Sequence, residues 1–276
     1  LSRISRAIAS IRREADGVGL FNVVRLRAIG YYNRVASKLR APAWWPTIPL
    51  KIPGCPTRLY LRTGTSDYAV LRQVFVEQQY APLDHVAAKL VIDCGAYVGY
   101  SALYFLNRFP QAVVVAVEPG PENAALCRRN LLPYRERAHV IRAAVWSSPG
   151  PMRLIRGAYG DGREWANQVE PATVPTEADV EGIDMPALIQ LAGFGVVDVL
   201  KIDIERSEID LFRSGTDRWL PAIRNVAIEL HDDDCKRVFF DAFESYDAET
   251  LRSGELTICR SIARARSTAR TIRVAP

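Results

Sequence analysis

Long apolar runs are missing from this 276-residue chain. None approaches the roughly 18–20 residues that cross a bilayer as a helix, so no transmembrane span is expected. Cysteine is sparse: Cys55, Cys94, Cys127, Cys235 and Cys259 form no CxxC pair and are odd in number. That argues against a zinc ribbon or a disulfide framework and for reduced, buried thiols. Histidine is scarcer still, at three residues. No segment repeats, and neither Pro nor Gly is in excess, so solenoid, collagen-like and disordered classes drop out. The opening LSRISRAIASIRREADG has no initiator Met and no apolar core of a secretory leader. The expectation is a cytoplasmic protein, trimmed at its start.

What is present is an ordinary globular composition with unevenly placed charge. The net charge is +5. Between Leu1 and Arg40, the basic Arg3, Arg6, Arg12, Arg13, Arg25, Arg27, Arg34, Lys38 and Arg40 face only Glu14 and Asp16. After Glu255 the tail carries Arg260, Arg264, Arg266, Arg270 and Arg273 with no acid. Such ends read first as solvated faces and second as a contact to an anionic membrane surface, giving a membrane-peripheral location; a nucleic-acid partner is not expected.

Periodicity divides the chain. Residues 3–15 place Ile4, Ile8, Ile11 and Ala15 on one stripe of a helix, and a second helix-compatible stretch runs from Leu20 to Leu39. The segment Ala41–Pro56, with Trp44 and Trp45 among five prolines, breaks helix. Residues 1–56 are therefore a basic helical appendage, residues 57–262 the main domain, and 263–276 a basic tail. The tryptophan pair is expected to pack the appendage down rather than to bind a ligand. In the main domain, strands at Leu90–Cys94, Val113–Glu118, His139–Val145, Val196–Asp203 and Val226–Leu230 alternate with helices at Tyr100–Asn107, Glu122–Leu131 and Met185–Ala192. A hairpin strand at Met152–Ile155 and a loop over Gly157–Thr176 complete the pattern. Alternation of this kind predicts an α/β fold with a mostly parallel sheet.

In such sheets ligands sit beyond the carboxyl ends of the strands. The first strand ends in Asp93-Cys94-Gly95-Ala96-Tyr97-Val98-Gly99, a glycine-bearing turn into a helix. The second ends in Glu118-Pro119, close to the offset of about 20 residues at which a carboxylate takes the hydroxyls of a ribose. Together they indicate an adenosine-type ligand. The third glycine of a dinucleotide fingerprint is missing, and the remaining strand ends are acidic: Asp203 and Glu205, then His231, Asp232, Asp233 and Asp234. Acid repels a pyrophosphate and suits a sulfonium, which favours S-adenosylmethionine over NAD. An NAD-dependent Rossmann oxidoreductase, and a non-catalytic membrane-peripheral binding protein, are the alternatives.

The blocks VIDCGAYVGYSALYF, VEPGPENAALCRRNL, DVLKIDIERSEIDLF and AIELH, preceded by Arg62-Thr63-Gly64-Thr65-Ser66-Asp67, resemble the FkbM family of S-adenosylmethionine-dependent methyltransferases. The resemblance implies a class I methyltransferase, Rossmann-like fold: a seven-stranded, mostly parallel sheet with its last strand antiparallel and helices on both faces. It implies cofactor contacts along the first turn at Asp93, Gly95, Ala96, Tyr97 and Gly99, and at Asp203. Ribose would lie on Glu118, adenine near Pro119, Ala144 and Val145, with Thr65, Ser66 and Asp67 closing over the cofactor. The acceptor it implies is a hydroxyl of a sugar, glycan or natural product. One position departs from the family pattern: Arg206 stands where a glycine is expected. If that backbone needs a positive φ, arginine is strained there. Otherwise Arg206 pairs with Glu208 or Asp210, or with an anionic group of the acceptor.

An attacking alcohol benefits from a base. His231 is the first candidate, with Asp203 or Glu205 in its place or holding it. A magnesium site at Asp203, His231 and Asp232 is a less favoured alternative, and no resident metal is expected.

Overall fold

The computed structural model describes residues 3–156 and 167–265. Part of the predicted loop over Gly157–Thr176 and the tail arginines Arg266, Arg270 and Arg273 lie outside the described residues. The side chain of Ile4 lies outside them as well. The chain packs as two compact units, Leu1–Gln78 and Gln79–Pro276.

In the first unit, helices α1 (Arg3–Val18) and α2 (Leu20–Lys38) are followed by a hairpin of β1 (Thr47–Leu50) and β2 (Leu59–Arg62), then α3 (Asp67–Phe75). The unit extends past residue 56 because β2 pairs with β1 and α3 is tied to α1, where Glu14 meets Tyr68 and Arg72. Asn33 on α2 fixes the Pro-rich segment, donating to the Trp44 carbonyl (2.7 Å) and accepting from its N–H (2.6 Å). Trp44 meets Tyr32 edge-on, and Trp45 lies so close over Gly64 that a Cβ there would be 2.5 Å from the ring. Both tryptophans thus pack within this unit.

The second unit holds β3 (Leu90–Cys94), α4 (Tyr100–Arg108), β4 (Val113–Val117), α5 (Pro121–Leu131), β5 (Ala138–Ile141), β6 (Ala144–Val145) and β7 (Gly150–Ile155). It continues through β8 (Gln168–Pro171), β9 (Val180–Ile183), α6 (Met185–Ala192), β10 (Val199–Ile202) and α7 (Glu208–Arg213). It ends in β11 (Val226–Glu229), α8 (Asp233–Ala242), β12 (Tyr246–Ser253) and β13 (Leu256–Arg264). Its main sheet has the order β12-β13-β11-β10-β3-β4-β5. Five strands run parallel and β13 runs antiparallel to its neighbours, so the expected class I methyltransferase topology is found. β3 and β10 are buried along their whole length, as strands covered on both faces must be. One face packs Leu90, Ile92 and Cys94 against Leu188 of α6, Phe212 of α7 and Phe239 of α8. Helices α4 and α5 pack against the sheet strands β3, β4 and β5.

The chain leaves β3 toward β5, then returns to build outward from β10, so strand order reverses between β3 and β10. Register aligns the strand ends: Cys94 lies opposite Val117 and Ile202, and Ile202 opposite Ile228. Gly95, Glu118, Asp203 and Glu229 therefore emerge at one edge, beside the switch point.

The strand expected over His139–Val145 is two strands. After Ile141 the chain leaves the main sheet, and β6 joins a second sheet of order β6-β9-β7-β8. β8 occupies part of the predicted loop. Its polar, proline-ending QVEP carries no apolar alternation, which is why the segment reads as a loop.

Candidate functional site

The turn after β3 is built on backbone that few side chains allow. Gly95 (φ 76°), Tyr97 (φ 51°) and Gly99 (φ 86°) are all left-handed. A Cβ on Gly95 would lie 1.7 Å from the Asp203 carbonyl oxygen, so glycine is obligatory where the β3 turn meets the end of β10. A Cβ on Gly99 would come within 2.9 Å of the Cys127 sulfur, which is how the start of α4 packs against α5. The Gly95 and Ala96 N–H groups both donate to the Val117 carbonyl, closing the turn onto β4.

Glu118 is buried at the end of β4. Its Oε2 accepts from the Tyr97 N–H (2.9 Å), and its Oε1 from the Gly120 N–H (2.9 Å) and the Asn123 side chain (3.3 Å). Burial pushes its carboxyl up to about 7, against the opposing pull of those donors. A carboxylate has about four acceptor positions, so one stays available after three bonds. Pro119 follows it. The Glu118 N–H bonds the Ile141 carbonyl, and β6, with buried Ala144 and Val145, begins three residues after Ile141.

Between β3 and β10 lies an ion cluster. Asp93 is fully buried, accepts from the Ser101 hydroxyl (2.6 Å), and lies 3.3 Å from Lys201 Nζ. Lys201 also donates to the Gly95 carbonyl and faces Asp203 at 3.7 Å. Burial alone would lower the lysine, but Asp93 and Asp203 outweigh it and hold the ammonium above the ordinary lysine range.

Beyond it the carboxylates crowd around one imidazole. The His231 side chain is 5% exposed. Its Nε2 lies 3.4 Å from Glu205, 3.7 Å from Asp203 and 4.0 Å from Glu229, while Nδ1 lies 3.6 Å from Glu208. Burial would lower the imidazole, yet Glu208, Asp203 and Glu205 push it up to about 10. Burial and Asp203 push Glu205 and Glu229 each up to about 8. Glu208 is fully buried, and accepts from the Ile204 N–H (2.9 Å) besides facing His231. Donor atoms of Asp203, Glu205 and His231 all lie within 4.8 Å of one another, near enough to converge on a cation.

Asp232 takes no part in that convergence. It caps α8 through the Cys235 N–H (2.8 Å) and pairs with Arg206 Nε (2.8 Å). The predicted trio with Asp203 and His231 is therefore completed by Glu205 instead. Arg206 does adopt a positive φ of 75°, and its partner is Asp232 rather than Glu208 or Asp210, which are taken by the His231 cluster and by Arg213.

Of the predicted residues, Asp93, Gly95, Ala96, Tyr97, Gly99, Glu118, Pro119, Asp203, Glu205 and His231 gather at this one sheet edge. Thr65, Ser66 and Asp67 belong to the first unit. There Asp67 is buried and clasped by Arg62 (2.8 Å), and the Thr65 hydroxyl donates to the Arg62 carbonyl. The sequence assigns no role to Lys201 or Glu229, and to Glu208 only that of a partner for Arg206. The signal for Lys201 was available: a lone lysine inside the apolar VLKI must be buried with counter-charges. A small cleft lined by Trp146, Met185, Leu211 and Trp219 contains none of these residues.

Known proteins share this arrangement of blocks. The model of the family described as "Methyltransferase FkbM domain" matches residues 93–254, from the start of the glycine turn to the β12–β13 hairpin. The 31-O-demethyl-FK506 methyltransferase FkbM of Streptomyces tacrolimicus is 26% identical over 214 residues, 67% of this chain and 82% of that protein. The 2-O-methyltransferase NoeI of Sinorhizobium fredii is 25% identical over 185 residues, 62% of this chain and 73% of that one. Among solved structures, the methyltransferase FkbM from Methylobacillus flagellatus is 16% identical with a TM-score of 0.41, over 70% of this chain. This chain spans about half the length of that protein (53%). With more than half of its residues inside the family's domain, this chain belongs to the FkbM methyltransferase family.

Proposed function

We propose that the protein is an O-methyltransferase that uses S-adenosylmethionine and places the methyl on a hydroxyl of a sugar, glycan or natural-product acceptor. One observation carries this reading: the glycine turn of β3, the buried Glu118 of β4 and the acid-ringed His231 stand side by side along one sheet edge. S-adenosylmethionine, when bound, supplies an electrophilic methyl on a positively charged sulfur.

The residues fit that cofactor. The Gly95 turn is packed directly onto the Asp203 carbonyl, which brings the ends of β3 and β10 together, and Glu118 keeps an acceptor position for a ribose hydroxyl. Asp93, Asp203 and Glu208 outnumber Lys201 and His231, and Glu118, Glu205 and Glu229 add acceptor oxygens, so the edge favours a cation and disfavours a pyrophosphate. Methyl transfer is a displacement in line, so the chain's task is chiefly to position the two partners.

The acceptor hydroxyl must lose a proton as its oxygen gains the methyl. The carboxylates ringing the buried His231 push its imidazole up to about 10, which suits it to a partnering role beside Glu205. Its role is to position Glu205, whose carboxylate takes the proton. The names of two relatives, one a 31-O-demethyl-FK506 methyltransferase and one a 2-O-methyltransferase, support an oxygen acceptor.

The test has two parts. Calorimetric titration should show binding of S-adenosylhomocysteine and not of NADH. A labelled-methyl assay over hydroxylated glycans and natural products, with mass spectrometry of the product, should locate the methyl on oxygen. Binding of NADH alone would overturn the cofactor, and a methyl on carbon or nitrogen the acceptor. Asp203, Glu205 and His231 also offer a donor set for a divalent cation. Activity that survives exhaustive EDTA treatment removes that second reading.

A further inference from the structure

The α2 helix turns an apolar face to solvent. At about 100° per residue, Leu20, Phe21, Val24, Tyr31 and Val35, with Leu39 at the cap that follows Lys38, fall within an arc of roughly 100°. All six are exposed, Phe21 at 78%, Leu39 at 73% and Tyr31 at 68%. The opposite side of the helix carries Val23, Ile29, Asn33 and Ala36, all buried. This helix thus satisfies its own unit with one side and leaves a second apolar side uncovered. Exposed apolar residues scattered singly need no explanation, but a continuous stripe along a helix does.

The charges beside the stripe identify what covers it. α2 holds Arg25, Arg27, Arg34 and Lys38 and no acidic residue. On the same helical spacing the exposed Arg34 and Lys38 line one edge of the stripe, beside Arg27, which is paired with Glu14 (3.2 Å), and Arg25, which donates to the Pro49 carbonyl (3.3 Å), lies at the other. Exposed Arg12 and Arg13 of α1 add to the positive field. Just past α2, Trp44 and Trp45 are each 53% exposed, and rings of this kind settle where apolar and wet regions meet. A second copy of the chain would bring the same basic edges against one another. A nucleic acid would pair with the arginines and leave the apolar stripe in water.

We infer that α2 lies flat on an anionic lipid bilayer, with its apolar face in the headgroup boundary and its basic edges on lipid phosphates. A stripe of aromatic and aliphatic residues flanked by arginine and lysine has the form of an interfacial helix. Long basic side chains reach from the helix flank to the headgroups while their stems stay in apolar contact. Among the described residues no helix is long and apolar enough to cross a membrane, so contact at the surface is the mode this helix allows. The inference rests on the first unit alone and is independent of the methyl-transfer reading.

Co-sedimentation of the full chain with vesicles tests it. Mixed phosphatidylglycerol/phosphatidylcholine vesicles should retain the protein, pure phosphatidylcholine should retain it far less, and added salt should release it. Two double variants divide the terms: Phe21→Asp with Leu39→Asp, and Arg34→Glu with Lys38→Glu. Each should weaken binding to the anionic vesicles by about ten-fold or more. Because all four side chains are exposed, thermal unfolding should be unchanged, which separates lost binding from lost folding. Failure of the parent chain to bind anionic vesicles would overturn the inference, as would equal binding by the apolar-face variant. A dimer in sedimentation velocity that Phe21→Asp with Leu39→Asp splits would assign the face to a second copy instead.

Discussion

The two halves of the sheet edge are built on opposite terms. At the ends of β3 and β4, polar groups are paired and glycines set the backbone: Glu118 accepts three hydrogen bonds, and Gly95 touches the Asp203 carbonyl. At the ends of β10 and β11, like charges are forced together. Four carboxylates surround His231, and Glu205 and Arg206 both sit at positive φ, 53° and 75°. A site that must hold one nucleoside in one pose benefits from the first kind of order. A site that must take up a proton benefits from groups held away from their ordinary titration range. On the proposed reading, the contrast assigns binding to one half of the strand ends and chemistry to the other.

The contrast is broken most severely by Gly95→Ala. The new methyl would collide with the Asp203 carbonyl in a backbone already left-handed, so a loss of about 3 kcal/mol or more is expected, with cofactor binding abolished. Gly193→Ala is the control. Gly193 has a similar φ of 71° but nothing within 4 Å of its Cβ position, so it should cost only about 1–2 kcal/mol. Urea unfolding of the two variants checks the difference. Equal losses would mean that the β3 turn yields more readily than its contacts imply.

Glu118→Gln acts on binding with less damage to the fold. It keeps the shape but replaces one acceptor oxygen with a donor, and S-adenosylhomocysteine affinity should fall by about 1–3 kcal/mol. Titration calorimetry reads this directly, and unchanged affinity would take Glu118 out of the ligand site.

On the other half, pH is the probe. Glu205 must be ionised to accept a proton, and burial with Asp203 raises it to about 8. The turnover rate should therefore fall as pH drops through 8, by about ten-fold per unit well below it. Glu205→Gln should lower the rate and flatten that limb, and a limb that persists in the variant would move the base elsewhere. Stability should respond in a defined direction. A carboxyl raised in the folded state stays protonated between its ordinary value of 4.5 and about 8, whereas the unfolded chain has released the proton. Stability thus declines as pH rises through that window. His231, raised from 6.5 to about 10, adds stability below 6.5 that is lost as pH climbs through 10.

How far the sequence disclosed this depends on which forces set each part. β3 is legible to the residue because an apolar run ends at a glycine turn, and α6 falls where the sequence places a helix, with the Asp184 cap visible only in the structure. Glu118 was legible because a strand end and an offset place it. The break between β5 and β6 was not, since Arg142-Ala143 carries no turn signal and the departure is decided by pairing with β9. Glu229 and Glu208 were hidden for a related reason. Their role comes from closing on His231 in space, and neither spacing nor residue type announces that. Glu205 appeared as one acid among several, and its left-handed backbone, which the sequence does not encode in any simple pattern, distinguishes it.

Arg206→Gly has the smallest expected effect on the fold and the most to say about the acceptor. Left-handed backbone costs a non-glycine residue about 1–2 kcal/mol, which glycine would relieve. Against that stand a half-exposed ion pair with Asp232, worth up to about 1 kcal/mol, and the greater freedom glycine gives the unfolded chain, about 0.4–1 kcal/mol. These terms nearly cancel, so the unfolding free energy should move by less than about 1 kcal/mol. Stability then gives no reason for an arginine at a position where the family pattern has glycine. If Arg206 meets the acceptor, the variant should raise KM for an anionic acceptor while leaving kcat and cofactor affinity unchanged, because only uniform binding has been removed. A KM that does not move would reduce Arg206 to its pair with Asp232. The chemistry would then belong to the carboxylates around His231 alone.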